Sequence, residues 1–294
     1  MGEQPASSGI GPADALLGAA MVTLFSGFTL ASRAGLTGTL HPWDLAALRF
    51  GVGGVLLWPV LWRYGLANVA LRHALALALT GGAGFATFAY AGFALAPAVH
   101  GAVLLHGTLP LTTYALARAR GMRPHANAGL AAIALGIVAL AGDGALRGTT
   151  AERLGDAALL LASFSWSAYG LLAARLALPP AHTASMVSVF SLLATLIAFA
   201  AFPGLRLSPA GWREWLLQAA WQGVLIGTLS TYLYTTALAR LGPQRIAALA
   251  AAVPCVTTAG AMLFLGEAPS RLVLAGLALV SGGVYVALRR RRES

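Results

Sequence analysis

Apolar runs of near-membrane length follow one another along almost the whole of this chain, and the charges fall between them. A hydrocarbon core about 30 Å thick needs roughly 20 predominantly apolar residues per spanning helix. Ten runs approach that length: 12–31, 45–61, 74–95, 99–117, 126–141, 156–174, 183–202, 212–238, 243–265 and 272–288. The fifth is short, and only Ala96-Pro97-Ala98 parts the third from the fourth, so nine spans is the alternative count.

Composition decides the solvent. Charged residues are 10% of the chain, against about 25% in soluble domains, so there are too few ionised side chains to cover a water-facing surface. Strand-built membrane barrels alternate in segments of about ten residues, whereas these runs are continuous and rich in Ala, Leu and Gly. Lipid-facing backbone must close its own hydrogen bonds. The expected fold class is therefore an all-α membrane protein with ten transmembrane helices.

The net charge of +10 comes from Arg alone, since the chain has no Lys. These Arg lie singly or in small groups between apolar runs, which is the pattern of helix-flanking charge and not of a nucleic-acid groove. With the N-terminus inside, twelve Arg fall on the inner side and seven on the outer, among them Arg33 and Arg49. The bias places both termini in the cytoplasm of an inner (plasma) membrane protein. The Arg289–Arg292 tail reads as a topogenic anchor. The opening Met1-Gly2-Glu3-Gln4-Pro5-Ala6 lacks the basic stretch of a signal peptide, so the first span is expected to direct insertion. Cys255 is the only cysteine.

The two halves resemble each other. Phe25-Ser26-Gly27-Phe28-Thr29-Leu30 aligns with Trp166-Ser167-Ala168-Tyr169-Gly170-Leu171 at an offset of 141. Tyr90 and Pro110 align with Tyr234 and Pro254 at an offset of 144. The implied organisation is an N-terminal segment (1–11), a five-span repeat (12–141), a connecting loop (142–155), a second five-span repeat (156–288) and a basic tail (289–294). An odd number of spans inserts the second copy upside down. Inverted repeats are a transporter architecture with the solute site at the repeat interface near the midplane.

Three stretches carry a family resemblance: Ser165-Trp166-Ser167-Ala168-Tyr169, Pro254 within Ala251-Ala252-Val253-Pro254, and Leu263-Phe264-Leu265-Gly266-Glu267. In order and spacing they resemble the drug/metabolite transporter superfamily, in its bacterial ten-helix branch of two EamA-type repeats. The first half departs from that pattern, with Phe25-Ser26 where the family has Trp-Gly and Ala119-Arg120-Gly121 where it has Leu-Gly-Glu. Within the branch the chain is similar to YddG-type amino-acid exporters. The resemblance implies export of amino acids or similar metabolites, with no prosthetic group.

Polar residues at membrane depth are functional candidates by default. No Asp or Glu falls near the middle of a run, so the cargo is expected to be neutral or zwitterionic. His106 is the one imidazole near mid-span, either a site ligand or protonation switch or a neutral bond between helices. Trp166 lies roughly 15 Å into its run at helical rise, deeper than tryptophan usually sits. Its face carries Ser163, Ser167 and Gly170, which suits either a wall that stacks on cargo or a packed core. Gln222, Gly223, Gly227, Ser230 and Tyr234 fall near one helical stripe, and Tyr90 and Thr87 join them through the repeat. The expected substrate-binding set is Trp166, His106, Tyr90, Thr87, Gln222, Ser230, Tyr234 and Ser163. Pro110 and Pro254 are expected hinges, since each removes a helix hydrogen bond. Small residues at Gly129, Gly136, Gly276 and Ser281 suit packing within a monomer or, less simply, a dimer.

An enzyme is the first rival, but HExxH, GxSxG, paired intramembrane acids and metal-ligand spacing are all missing from the sequence. Export of small drugs, nucleobases or sugars is the alternative cargo, and a non-transporting assembly protein is the other rival. The expected partners are a small-molecule substrate and membrane lipid, with no nucleic acid. A reporter fused after Ser294 should read as cytoplasmic and one inserted within 142–155 as external; the same compartment for both overturns the inverted arrangement.

Overall fold

The backbone closes its hydrogen bonds in helices, and no strand occurs among the described residues, 11–66, 69–122, 128–250 and 252–289 of this computed structural model. The segment before residue 11, Arg123 and the Arg290–Arg292 tail lie outside them. The chain opens with α1 (Pro12–Thr37), α2 (Pro42–Tyr64), α3 (Leu71–Gly81) and α4 (Ala83–Leu95). A short α5 (Ala98–Gly101) runs into a first π-helical stretch, Ala102–Gly107, and then α6 (Leu109–Ala119). Next come α7 (Ala128–Arg147), α8 (Thr150–Leu176) and α9 (Pro180–Ala201). α10 (Trp212–Gln218) passes through a second π-helical stretch, Ala219–Ser230, into α11 (Thr231–Leu241). α12 (Pro243–Ala250), α13 (Val253–Phe264) and α14 (Arg271–Arg289) complete the order.

Five helices are long and apolar enough to cross a membrane: Pro12–Thr37, Pro42–Tyr64, Leu71–Leu95, Thr150–Leu176 and Pro180–Ala201. Shorter apolar helices occupy Ala128–Ala139, Val253–Phe264 and Arg271–Gly283. The rest of the expected runs are interrupted. Pro110 and Pro254 each take the second position of a helix that restarts, α6 and α13. Proline is tolerated there because the first turn leaves its N–H positions unpaired anyway.

Two of the boundary differences from the sequence reading bear on the rest of the structure. α7 continues to Arg147 and α8 begins at Thr150, so most of 142–155, including Asp143 and Glu152, is helical. The cause is a capping box at the start of α8: Thr149 Oγ1 accepts from the Glu152 N–H while the Glu152 carboxylate accepts from the Thr149 N–H. At the other end of the fold, α2 begins at Pro42 and not near residue 45. Asp44 holds that start: its carboxylate accepts from the His41 N–H, the Ser208 N–H and the Ser208 hydroxyl. The earlier start puts Arg49 two turns inside the helix.

Exposure is distributed inside out. Trp62 is 80% exposed and Phe264 79%, together with Leu16, Leu135, Ile197 and Leu217, while Thr29, Ser32, Ser163, Ser185 and Ser191 are fully buried. That is the arrangement for a lipid solvent, where hydroxyls pair inside the bundle and tails meet aliphatic side chains.

Glycines set two close approaches. A methyl on Gly136 would lie 2.6 Å from the Gly276 carbonyl oxygen, and one on Gly283 would lie 2.7 Å from that of Gly129. α7 and α14 thus pack on each other within the chain, as the small residues led one to expect. The second approach brings α2 against the second π stretch: a methyl on Gly223 would meet Val52 Cβ at 2.4 Å, and one on Gly227 the Arg49 carbonyl oxygen at 2.5 Å. Ser188 Oγ donates to the Gly227 carbonyl at 3.1 Å and ties α9 to the same contact. Gly227→Ala must therefore push α2 away, and is expected to cost about 1–3 kcal/mol. Gly51→Ala meets nothing within 4 Å and should be neutral or slightly stabilising. Thermal unfolding of both in detergent checks the contrast, and an unshifted Gly227→Ala would refute it.

Candidate functional site

Ten residues from seven parts of the fold line one cavity. α1 supplies Phe25 and Phe28, α2 Arg49, α4 Phe85 and α8 Trp166. Leu105 and His106 come from the first π stretch, Leu109 from α6, and Ile226 and Ser230 from the second π stretch. An i→i+5 ladder is rare and recurs at functional sites; here both such stretches present residues to one cavity.

Aromatic rings form most of the wall. Trp166 lies 4.7 Å from Phe85, 4.8 Å from Tyr234, 5.1 Å from Tyr169 and 6.0 Å edge-on from Phe25, centroid to centroid. Phe25 also faces His106 at 5.2 Å. The Tyr234 hydroxyl reaches Gly170, where a methyl would sit 2.7 Å from it. The glycine one turn beyond Trp166 thus makes room for the tyrosine of α11.

Arg49 is the one charged residue on the wall, and it is 3% exposed. Its guanidinium carbon lies 5.1 Å from the Phe28 ring, 5.4 Å from Phe85 and 5.6 Å from Phe50. Its Nε and Nη1 have no hydrogen-bond partner, and the ion pairs among the described residues do not include it. Arg at the centre of a membrane helix costs about 2.5–3.5 kcal/mol on insertion scales and more on an isolated helix. A desolvated cation–π contact returns about 2 kcal/mol. The rings thus offset a large part of the charge but leave Nε and Nη1 without an acceptor. This corrects the sequence expectation, which counts Arg49 among outer flanking charges and concludes that a charged cargo has no fixed counter-charge. The cavity wall does hold one, a cation. The signal was local: the Pro42–Asp44 start of the helix places residue 49 about 10 Å inside it at helical rise.

Beside the cavity runs a polar chain. The Tyr90 hydroxyl donates to Gln222 Oε1 at 3.0 Å, Gln222 Nε2 donates to Ser32 Oγ at 3.0 Å, and Gln218 Nε2 donates to the Ala31 carbonyl at 2.9 Å. Gln222 and Tyr90 are fully buried. A second set of hydroxyls joins α6 and its N-terminal Thr108 to α8: Thr108 Oγ1 and Ser163 Oγ lie 2.6 Å apart, and Thr112 and Thr113 reach Ser167 at 2.7 and 3.0 Å.

Of the eight residues expected at the site, Trp166, His106 and Ser230 line the cavity. Tyr234 stands behind Trp166, and Tyr90 and Gln222 form the adjoining network. Ser163 is spent on the hydroxyl contact to α6. Thr87 is exposed on α4 and donates to the Ala83 carbonyl of its own helix, so it does not reach the cavity. The repeat equates Tyr90 with Tyr234, but the two meet different neighbours. Phe25, Phe28, Arg49, Phe85, Leu105, Leu109 and Ile226 are the wall residues that sequence reasoning missed.

Residues 153–289 match the model of the EamA-like transporter family. The match falls on the half that holds Ser165–Tyr169, Pro254 and Leu263–Glu267. A solved crystal structure is similar over 96% of this chain and 99% of its own, at 24% identity and a TM-score of 0.70. That likeness concerns the fold, and it extends over both halves. No curated protein matches the chain. With its membrane-length helices, the chain is a multi-pass membrane protein.

Gln222→Leu keeps the volume but leaves the Tyr90 hydroxyl without its acceptor and Ser32 without its donor. Each such buried group costs about 1–3 kcal/mol, so a clear drop in unfolding temperature is expected; an unchanged midpoint would show that the network is not closed as described.

Proposed function

We propose that this protein transports small organic metabolites, amino acids with aromatic or hydrophobic side chains foremost, by alternating access between two inverted five-helix repeats. The observation that carries the reading is the cavity itself, which both halves of the chain enclose: Phe25, Phe28, Arg49, Phe85 and His106 from the first, Trp166, Ile226 and Ser230 from the second. A site at the interface of two repeats is open to either side when the repeats rock against each other. The match of the second half to a transporter family supports the same reading.

In this reading α3 with α4, α5 with α6, α10 with α11 and α12 with α13 each make one span, which gives ten. The interruptions fall inside spans, and Pro110 and Pro254 occupy them in both halves as hinges. Export suits a cavity without a carboxylate on its wall, since intracellular accumulation alone supplies a gradient. Moving Arg49 into the bundle leaves six outer Arg against twelve inner ones, which favours cytoplasmic termini more strongly.

The test is efflux of labelled L-phenylalanine from proteoliposomes. Flux above protein-free vesicles is expected. Trp166→Ala should lower the initial rate about two- to tenfold, as loss of an aromatic contact of about 0.5–1.5 kcal/mol implies, while the protein stays monodisperse. Flux at the protein-free level across amino acids, small drugs and sugars would overturn the transporter reading.

A further inference from the structure

We propose that Arg49 is the anchor for a carboxylate on the cargo, so that the protein selects small organic acids with an apolar or aromatic body and requires no ammonium group on them. The inference rests on the transporter reading and names what its site recognises.

Three observations carry it. First, the guanidinium faces the cavity while buried, and its Nε and Nη1 donors are unmet. Arginine cannot escape by losing its proton, so a buried donor of this kind calls for an acceptor. Second, other buried polar atoms at or beside the cavity also lack partners: Trp166 Nε1 and the Tyr169 hydroxyl, with His106 Nδ1. The indole N–H and the guanidinium can only donate. The Tyr90 hydroxyl, which interacts with the guanidinium, donates its own hydrogen to Gln222 Oε1, and Arg49 Nε and Nη1 stay without a partner. The guanidinium therefore presents hydrogens that want an oxygen. Third, the lining holds no Asp or Glu, and the remaining lining is Phe25, Phe28, Phe85, Leu105, Leu109 and Ile226 with one serine. An ammonium group brought into this space would meet a like charge and no counter-charge. A carboxylate would meet a cation, and its hydrocarbon body would meet rings and aliphatic groups.

A purely structural Arg49, held by its three phenyl rings, makes a different prediction, because it is indifferent to the head group of the cargo. Three probes separate the two: 3-phenylpropionate, L-phenylalanine and phenethylamine share a phenyl body and carry a carboxylate, both groups, or an ammonium. In proteoliposomes the wild type is expected to move the two carboxylates and to leave phenethylamine at the protein-free rate. Arg49→Gln should lower 3-phenylpropionate flux about tenfold or more, the scale of a lost charge-assisted bond, and Arg49→Lys should retain part of it. A second measurement needs no variant: in detergent, 3-phenylpropionate should raise the unfolding temperature of the wild-type protein in a saturable way, and phenethylamine should not. Phenethylamine flux or stabilisation equal to that of the acid, or full 3-phenylpropionate flux in Arg49→Gln, overturns the carboxylate anchor and leaves the transporter standing. Saturable stabilisation by the acid with no flux of any probe overturns the transporter and leaves the anchor.

Discussion

A helix in hydrocarbon can be interrupted only where something else takes up the backbone groups the interruption frees. This fold interrupts its helices often, and at several of these places a short hydroxyl side chain answers. In the second π stretch Thr228 bonds the Gly223 carbonyl, Thr231 that of Ile226, and Ser188 reaches across from α9 to Gly227. In the first, Thr108 bonds the Leu104 carbonyl. At the junction of α3 and α4, Ser191 donates to the Ala78 carbonyl and accepts from the Ala83 N–H, while Ser165 donates to the Thr80 carbonyl. Ser26 reaches the Val253 carbonyl where α13 begins. Irregular backbone survives at membrane depth because it is buried against these hydroxyls, and the cavity lies where the two longest irregular stretches meet.

The same constraint explains why the fold class was legible and the site only partly so. Charge deficit and run length are global properties, and they led directly to an all-helical membrane protein. Depth along a span is also nearly global, which is how Trp166, His106 and Gln222 stood out. Rotation about a helix axis is set by neighbours. Thr87 and Tyr90 are three residues apart, yet one faces outward and the other inward, because α4 turns its Ala86, Ala89 and Tyr90 face to the bundle. Ser163 shares a face with Trp166, but α6 presents hydroxyls to it and claims it for packing.

Arg49 escaped for a different reason. An arginine near the end of an apolar run looks like every other flanking arginine, and the charge rule absorbs it without residue. Only the cap that starts α2 at Pro42, formed with Ser208 from a distant loop, moves that position inward. Gly223 and Gly227 complete the placement by letting the π stretch approach the α2 backbone at Leu48 and Arg49 themselves. A cap, a pair of glycines and a widened helix thus cooperate to present one guanidinium to the cavity. Each was visible in the sequence as a local feature, and their conjunction was not.

A comparable division of labour operates at the break between α4 and α5. There the chain leaves carbonyls at the end of one helix and N–H groups at the start of the next. Arg33 of α1 donates to the Phe93 and Ala94 carbonyls at 2.9 and 3.1 Å, and Glu267 from the second half accepts from the Ala98 and Val99 N–H groups at 2.9 and 3.3 Å. Cation at the carbonyl end and anion at the N–H end is the order that complements both helix termini. His100 and Asp156, 3.0 Å apart, add a further link between the halves beside it. The glutamate that closes the Leu263–Glu267 stretch, which belongs to the half that matches the transporter family, therefore caps a helix of the other half. A motif that reads in sequence as the end of one span is, in three dimensions, part of what joins the two halves.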